Sequence, residues 1–323
     1  MAASAPKVIL LALLSFVLLC TGSPVPALLL PPAESAVSLS PPPADSNPAL
    51  AALPAVAAAN AYVESWTASP EGITFGAGPV FFQDTTLRQT IPISVGGSQF
   101  TLTLSNAYGQ SDLVINKINV AIPLPTQGRL LGSGSINIAT IRSLTFGGQP
   151  VVTIPMGSKI VSDPFTFNPP LPAGQILSIS MYLQAGQAGT VVTAHEYSRT
   201  SSSNARGDMT SARSIPRLSG RSSVSWYFIN SLEVSYTDPS TKALVVIGNS
   251  LTDGRTSPLN QDLKWPSLLS RRIHAISGYQ QISVVNEGSG GNNVLGPARG
   301  DNVYQAGAVD RFDRDALTLS GIG

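Results

Sequence analysis

"ALVVIGNSLTDG", Ala243 to Gly254, decides the fold, because its grammar differs from that of everything before it. Its first six residues form a continuous apolar run, the pattern of a strand buried on both faces of a parallel sheet. The run stops at a glycine, an amide and a serine, and the polar turn "NSLTDGRTSPLNQD" (249–262) follows. Trp265, Leu268, Leu269 and Ile273 then recur at helical spacing, with Asp262 near the start and Pro266 tolerated in a first turn. A second apolar run, "QISVV" (281–285), ends in "NEGSGGNN" (286–293), and a further helix is expected from about Val309 to Leu317. Strand, loop, helix, strand, loop, helix is the opening of a doubly wound α/β domain.

Upstream, residues 60–238 read differently. In "SQFTLTLSNAYG" (98–109), Phe100, Leu102 and Leu104 alternate with polar neighbours, which predicts a strand with one face in a core and the other in water. Similar runs occur at Val114 to Ile122, Lys159 to Phe167, Ile176 to Leu183 and Tyr227 to Tyr236. Gly96-Gly97, Gly147-Gly148 and Pro172-Ala173-Gly174 punctuate them at hairpin-like intervals. Many short strands with regular turns indicate an antiparallel β-sandwich, jelly-roll-like in type.

The amino terminus points to export. Lys7 precedes an apolar run, Val8 to Cys20, shorter than the roughly 20 residues a membrane span needs but suited to a signal peptide, here residues 1–23. Cleavage there removes Cys20, the only cysteine, leaving no disulfide, no thiol nucleophile, no thiolate metal site and no stable membrane span. Residues 24–58, rich in Pro, Ala, Ser and Leu, read as a disordered linker. Nineteen Lys and Arg against 18 Asp and Glu leave no basic field to hold a polyanion, so a nucleic-acid role is excluded.

Chemistry in doubly wound folds collects where parallel strands end, because loops converge there. Ser250 and Gly291 each fall just past such an end. In an enzymatic reading Ser250 attacks an ester carbonyl while its own N–H and that of Gly291 hold the oxyanion, each donor contributing about 3 kcal/mol. The alternative is that both loops are simply turns of small polar residues.

"GNSLTDG" closely resembles the first motif, Gly-Asp-Ser-Ile/Leu-Thr-Asp-Gly, of the GDSL or SGNH ester hydrolases, and "NEGSGGN" looks like that family's second block. There the glycine five residues after the Asn, here Gly291, is the implied oxyanion donor. The β-rich segment, in "TLRQTIPISVGGSQFTLTLSNAYG", "LTFGGQPVVTIPMGSKIVSDP" and "SWYFINSLEVSY", is similar to the sandwich domain of a secreted microbial and fungal subgroup. The resemblance implies a sandwich at 60–238 followed by a flavodoxin-like SGNH hydrolase domain from 243, hydrolysing carboxylic or acetylated-glycan esters outside the cell with no cofactor or metal.

Two departures stand out. Asn249 replaces the motif's Asp, losing a carboxylate that accepts several N–H bonds. The family's third block, Gly-x-Asn-Asp, and its Asp-x-x-His base are not found in these residues, so the hydrolase domain is expected to be truncated, with the catalytic Asn, Asp and His absent and apolar edges or faces of "ALVVI" and "QISVV" uncovered. A serine at its ordinary pKa needs a base in hydrogen-bonding reach. His195 is expected on a loop or sheet surface and His274 at a helix end, where it complements the dipole. Asp253 is expected to cap the following helix, and Asp301, Asp310, Asp313 and Asp315 to be solvated charges. A second function class follows from the sandwich alone: a non-catalytic polysaccharide or cell-wall binding protein, with Trp66 and Trp226 as either sugar-stacking faces or core residues.

Overall fold

Alternation builds the first half of the chain. In the strand Gly97–Ser105, Phe100, Leu102 and Leu104 are fully buried, as period-two patterning requires. The computed structural model describes residues 61–74, 80–218, 224–296 and 306–322. The expected signal peptide and linker, with Cys20 and Asp301, lie outside the described residues.

Gly97–Ser105 is central in an antiparallel sheet. It pairs with Ile229–Tyr236 on one side and with Lys159–Val161 and Phe165–Leu171 on the other, and Ile229–Tyr236 pairs onward with Ala61–Thr67. A second antiparallel sheet runs in the order Ser203–Arg206, Thr85–Pro92, Ile176–Leu183, Lys117–Ala121, Arg142–Ser143. Val63, Leu102 and Val234 of the first sheet share one apolar core with Leu87, Ile118, Ile179 and Met181 of the second. The expected wet face of Gly97–Ser105 is not wet, because Thr101 and Thr103 are buried too. Thr101 Oγ1 donates to Glu233 Oε2 at 2.8 Å and Ser320 Oγ donates to Glu233 Oε1 at 2.5 Å, so a segment from the far end of the described chain covers that face.

The Ala243 run forms the strand Lys242–Gly248, which pairs parallel with Ile282–Gly288 in unbroken register from Lys242↔Ile282 to Gly248↔Gly288. Two helices separate them, α1 (Ser250–Asp253) and α2 (Trp265–His274). On its other edge Lys242–Gly248 meets the chain again: Ala243 N donates to Gly321 O at 2.7 Å in a parallel bridge between Ala243 and Ile322. The expectation of uncovered apolar faces is therefore corrected. Val245, Val246, Ile247, Val284 and Val285 are buried, with Ala61–Thr67 packed against both strands and Ala316, Phe312, Leu319 and Ile322 gathered around Val245, Ile247 and Val285.

α2 forms where its spacing predicts, but its apolar stripe is only partly covered. Leu268 is exposed, while Pro266 and Ser270 are buried. The helix packs against Ile282–Gly288, which half-buries Trp265, Leu269 and Ile273, and Ser270 Oγ lies 3.0 Å from Ser94 Oγ. The helix expected near 309–317 is reduced to a π-helical turn, Asp313–Leu317. No helix among the described residues is long and apolar enough to cross a membrane.

Candidate functional site

The parallel register sets the site. Because Gly248 and Gly288 lie side by side, the loops carrying Ser250 and Gly291 leave from neighbouring strand ends, and Ser289 N donates to Gly248 O at 3.0 Å between them. Glycine is required at both ends. A Cβ on Gly288 would stand 2.3 Å from Asp253 N, and one on Gly248 would stand 2.1 Å from Thr252 Oγ1, so α1 sits directly over the strand termini. Asn249 caps α1, its side chain accepting from Leu251 N at 3.0 Å, so the amide retains the capping bond that the motif's Asp would make. Gly291 is exposed at φ +77°, a conformation that favours glycine, and Ser250 is half-buried.

The environments of His195 and Asp253 correct the sequence reading. His195 ends the strand Val191–His195 and is buried, its ring stacked on Trp226 with centroids 5.7 Å apart. Its Nε2 lies 2.9 Å from Asp253 Oδ1, and its Nδ1 2.9 Å from Ser69 O. Asp253 caps no following helix: it is the buried last residue of α1, and Lys264 Nζ donates to its Oδ1 at 3.0 Å. Burial alone would raise the Asp253 carboxyl, but Lys264 and then His195 outweigh it and hold the carboxyl below the ordinary range. Burial likewise opposes charge on His195, yet the Asp253 carboxylate raises its pKa above the usual imidazole value. With both ring nitrogens engaged, His195 is a strut between the sandwich and α1, not a base for Ser250. His274 ends α2 as expected, with Nε2 2.8 Å from Ile282 O.

Asp315 also departs from expectation. Asp310 and Asp313 are exposed, but Asp315 is buried between Arg311 Nη1 and Arg314, and its carboxyl is held below the ordinary range because these guanidiniums outweigh burial. Arg311 is the most connected side chain of the site. It donates to Ser69 Oγ of the sandwich at 3.1 Å, to Gly248 O at 3.2 Å and, through Nε and Nη2, to Asn292 Oδ1 at 3.2 and 3.0 Å. One buried cation thus ties together the end of the Ser250 strand, the Gly291 loop and the sandwich. Its i,i+4 spacing to Asp315 was legible in "RFDRD", but its partners 19 to 242 residues away were not. Glu71 adds a carboxylate at the same boundary, where Ser289 Oγ donates to its Oε1 at 2.6 Å and burial raises its pKa.

Trp66 and Trp226 are core residues. They meet edge to face at 5.0 Å, and Trp226 is covered by His195 and by Lys264 Nζ, 5.2 Å from its centroid, which leaves no open ring for a sugar to stack on. No cluster of His, Cys, Asp and Glu suited to a metal occurs among the described residues. Neither a protein-family model nor a curated protein matches the chain.

Proposed function

We propose that this chain is an exported carboxylic-ester hydrolase of the GDSL/SGNH type. In this reading a jelly-roll-like sandwich precedes the opening strands of a flavodoxin-like hydrolase domain. Ser250 Oγ attacks the ester carbonyl of a small-molecule or glycan ester, and the N–H groups of Ser250 and Gly291 receive the developing oxyanion. No cofactor or metal enters the chemistry. The observation that carries the reading is the pairing of Gly248 with Gly288, which puts both motif loops at adjacent carboxyl ends of parallel strands, where such folds hold their ligands. The arrangement supports it, since Lys242–Gly248 lies between the later strand Ile282–Gly288 and the later bridge at Ile322, as the first strand of a flavodoxin-like sheet lies between two that follow it.

The proton of Ser250 needs a base, and neither described imidazole is bonded to it: His195 is held by Asp253 and Ser69, and His274 by Ile282. The resemblance assigns that role to an Asp-x-x-His pair, which these residues lack. The 323-residue chain should therefore turn over p-nitrophenyl acetate about 10⁴- to 10⁶-fold more slowly than a chain carrying the two further blocks. Ser250→Ala in the longer chain should abolish turnover. Activity in the longer chain that survives Ser250→Ala would overturn the proposal.

A further inference from the structure

A cleft of about 890 Å³ lies between α2 and the sandwich, within the roughly 300–1,000 Å³ usual for small-ligand sites. Neither Ser250 nor Gly291 lines it, so it is a separate feature from the ester site. One wall is the polar side of α2, where Lys264, Ser267, Arg271 and His274 recur at helical spacing. Arg129 and Arg199, both carried by the sandwich, also line it.

The charge balance of the cleft is one-sided. Arg129, Arg199, Lys264 and Arg271 line it, against a single carboxylate, Asp262. Two of these cations are already matched: Arg271 pairs with Asp262 at 3.2 Å, and Lys264 with Asp253. The other two form no ion pair among the described residues. Arg129 Nη1 donates to Leu259 O at 3.2 Å and Arg199 Nε to Ser257 O at 2.7 Å, so both clasp one loop through neutral carbonyls. A guanidinium has five donors in a planar fork. Each arginine thus retains donors beyond its carbonyl bond, in a cleft also lined by Gln261 and by Ser257, whose Oγ has no hydrogen-bond partner among the described residues.

We propose that this cleft binds a small, hydroxyl-rich anion whose carboxylate or phosphate is held by Arg129 and Arg199. Fork-shaped donors match the two oxygens of such a group, and the charge excess favours an anion over a neutral ligand. Gln261 and the Ser257 hydroxyl suit the hydroxyls of a sugar-like body, and Pro92, Ile93, Leu130 and Leu131 give its carbon skeleton an apolar wall.

Calorimetric titration of the full 323-residue chain at low ionic strength tests this with three probes: trigalacturonate, glucose 6-phosphate and neutral maltotriose. Saturable binding of at least one anion, and none of maltotriose, is expected; which anion binds separates the carboxylate source from the phosphate source. Arg199→Ala and Arg129→Ala should each weaken that binding at least tenfold, at a temperature where melting curves show both variants folded. Arg199→Lys, which keeps the charge and loses the fork, should restore part of it. Ser250→Ala should leave it unchanged, so failure of the esterase reading and failure of this one are distinguishable. Equal binding of maltotriose, no saturable binding of either anion at millimolar concentration, or anion binding indifferent to both arginine variants would overturn the proposal.

Discussion

Replacing Glu64 by Gln should make the protein more stable at pH 8 and leave it nearly unchanged at pH 5. Glu64 is buried on Ala61–Thr67 directly across from Glu233, and its Oε2 has no hydrogen-bond partner among the described residues. Burial first, and then the Glu233 carboxylate, push its pKa from an ordinary 4.5 to about 8. The folded protein therefore keeps a proton that the unfolded chain releases above pH 4.5. Stability linked to this group is fully present below pH 4.5 and is lost as pH rises toward 8. At 1.36 kcal/mol per pH decade, the interval from 4.5 to about 8 corresponds to about 5 kcal/mol at most. Gln carries no ionisable proton, so the variant should escape this loss and melt about 10–20 °C above the parent at pH 8. Thermal melts of both proteins from pH 4.5 to 8.5 measure the difference, and curves that fall in parallel would refute the reasoning. Glu71, Glu287 and His195, all raised, add slopes of the same sign to both proteins and cancel in the comparison.

Arg311→Met should cost about 3–5 kcal/mol in denaturant unfolding, because it removes a buried cation from Asp315 and the Nε and Nη2 donors to Asn292 Oδ1; a loss under about 1 kcal/mol would contradict the network. In the same variant, amide exchange at Ser289–Asn293 should accelerate more than at Phe100–Leu104, and uniform acceleration would remove the specific tie to the Gly291 loop. Gly288→Ala should destabilise by about 1–3 kcal/mol, as overpacking does, since its methyl meets the backbone of α1; a neutral melt would show that α1 moves aside freely.

The sequence made legible what depends on local period and composition. Alternation at Phe100, Leu102 and Leu104 located a sandwich strand, and the unbroken run before Gly248 located a strand of a parallel sheet. The loops of Ser250 and Gly291 were found because both are encoded next to a strand end. What stayed hidden depends on distant partners. His195 meets Asp253 across 58 residues and Arg311 meets Ser69 across 242, and no spacing within either segment announces such a bond. The polar face of Gly97–Ser105 was misread for the same reason, since alternation reports which side is polar but not whether something polar covers it. Leu268 failed in the opposite sense: helical spacing marks an apolar stripe but not how wide a partner covers it, and only Trp265, Leu269 and Ile273 are partly buried.

These long-range bonds change what the sandwich is for. A domain that merely precedes another would meet it through a solvated linker, yet Ser69, Glu71 and His195 are buried and bonded to Arg311, Ser289 and Asp253. Separating the halves would strand those polar groups without partners, at about 1–3 kcal/mol for each neutral one and more for the charged ones. The two parts should therefore open together. A truncated domain with uncovered apolar faces, as expected from the sequence, would instead be digested first, from Ala243 onward, and leave a resistant sandwich. Limited trypsin digestion decides between them: cleavage at Lys242, Arg255 and Arg271 should be no faster than cleavage within 80–218. Early release of the segment from Ala243, with the sandwich left intact, would show that the buried network does not hold the halves as one unit.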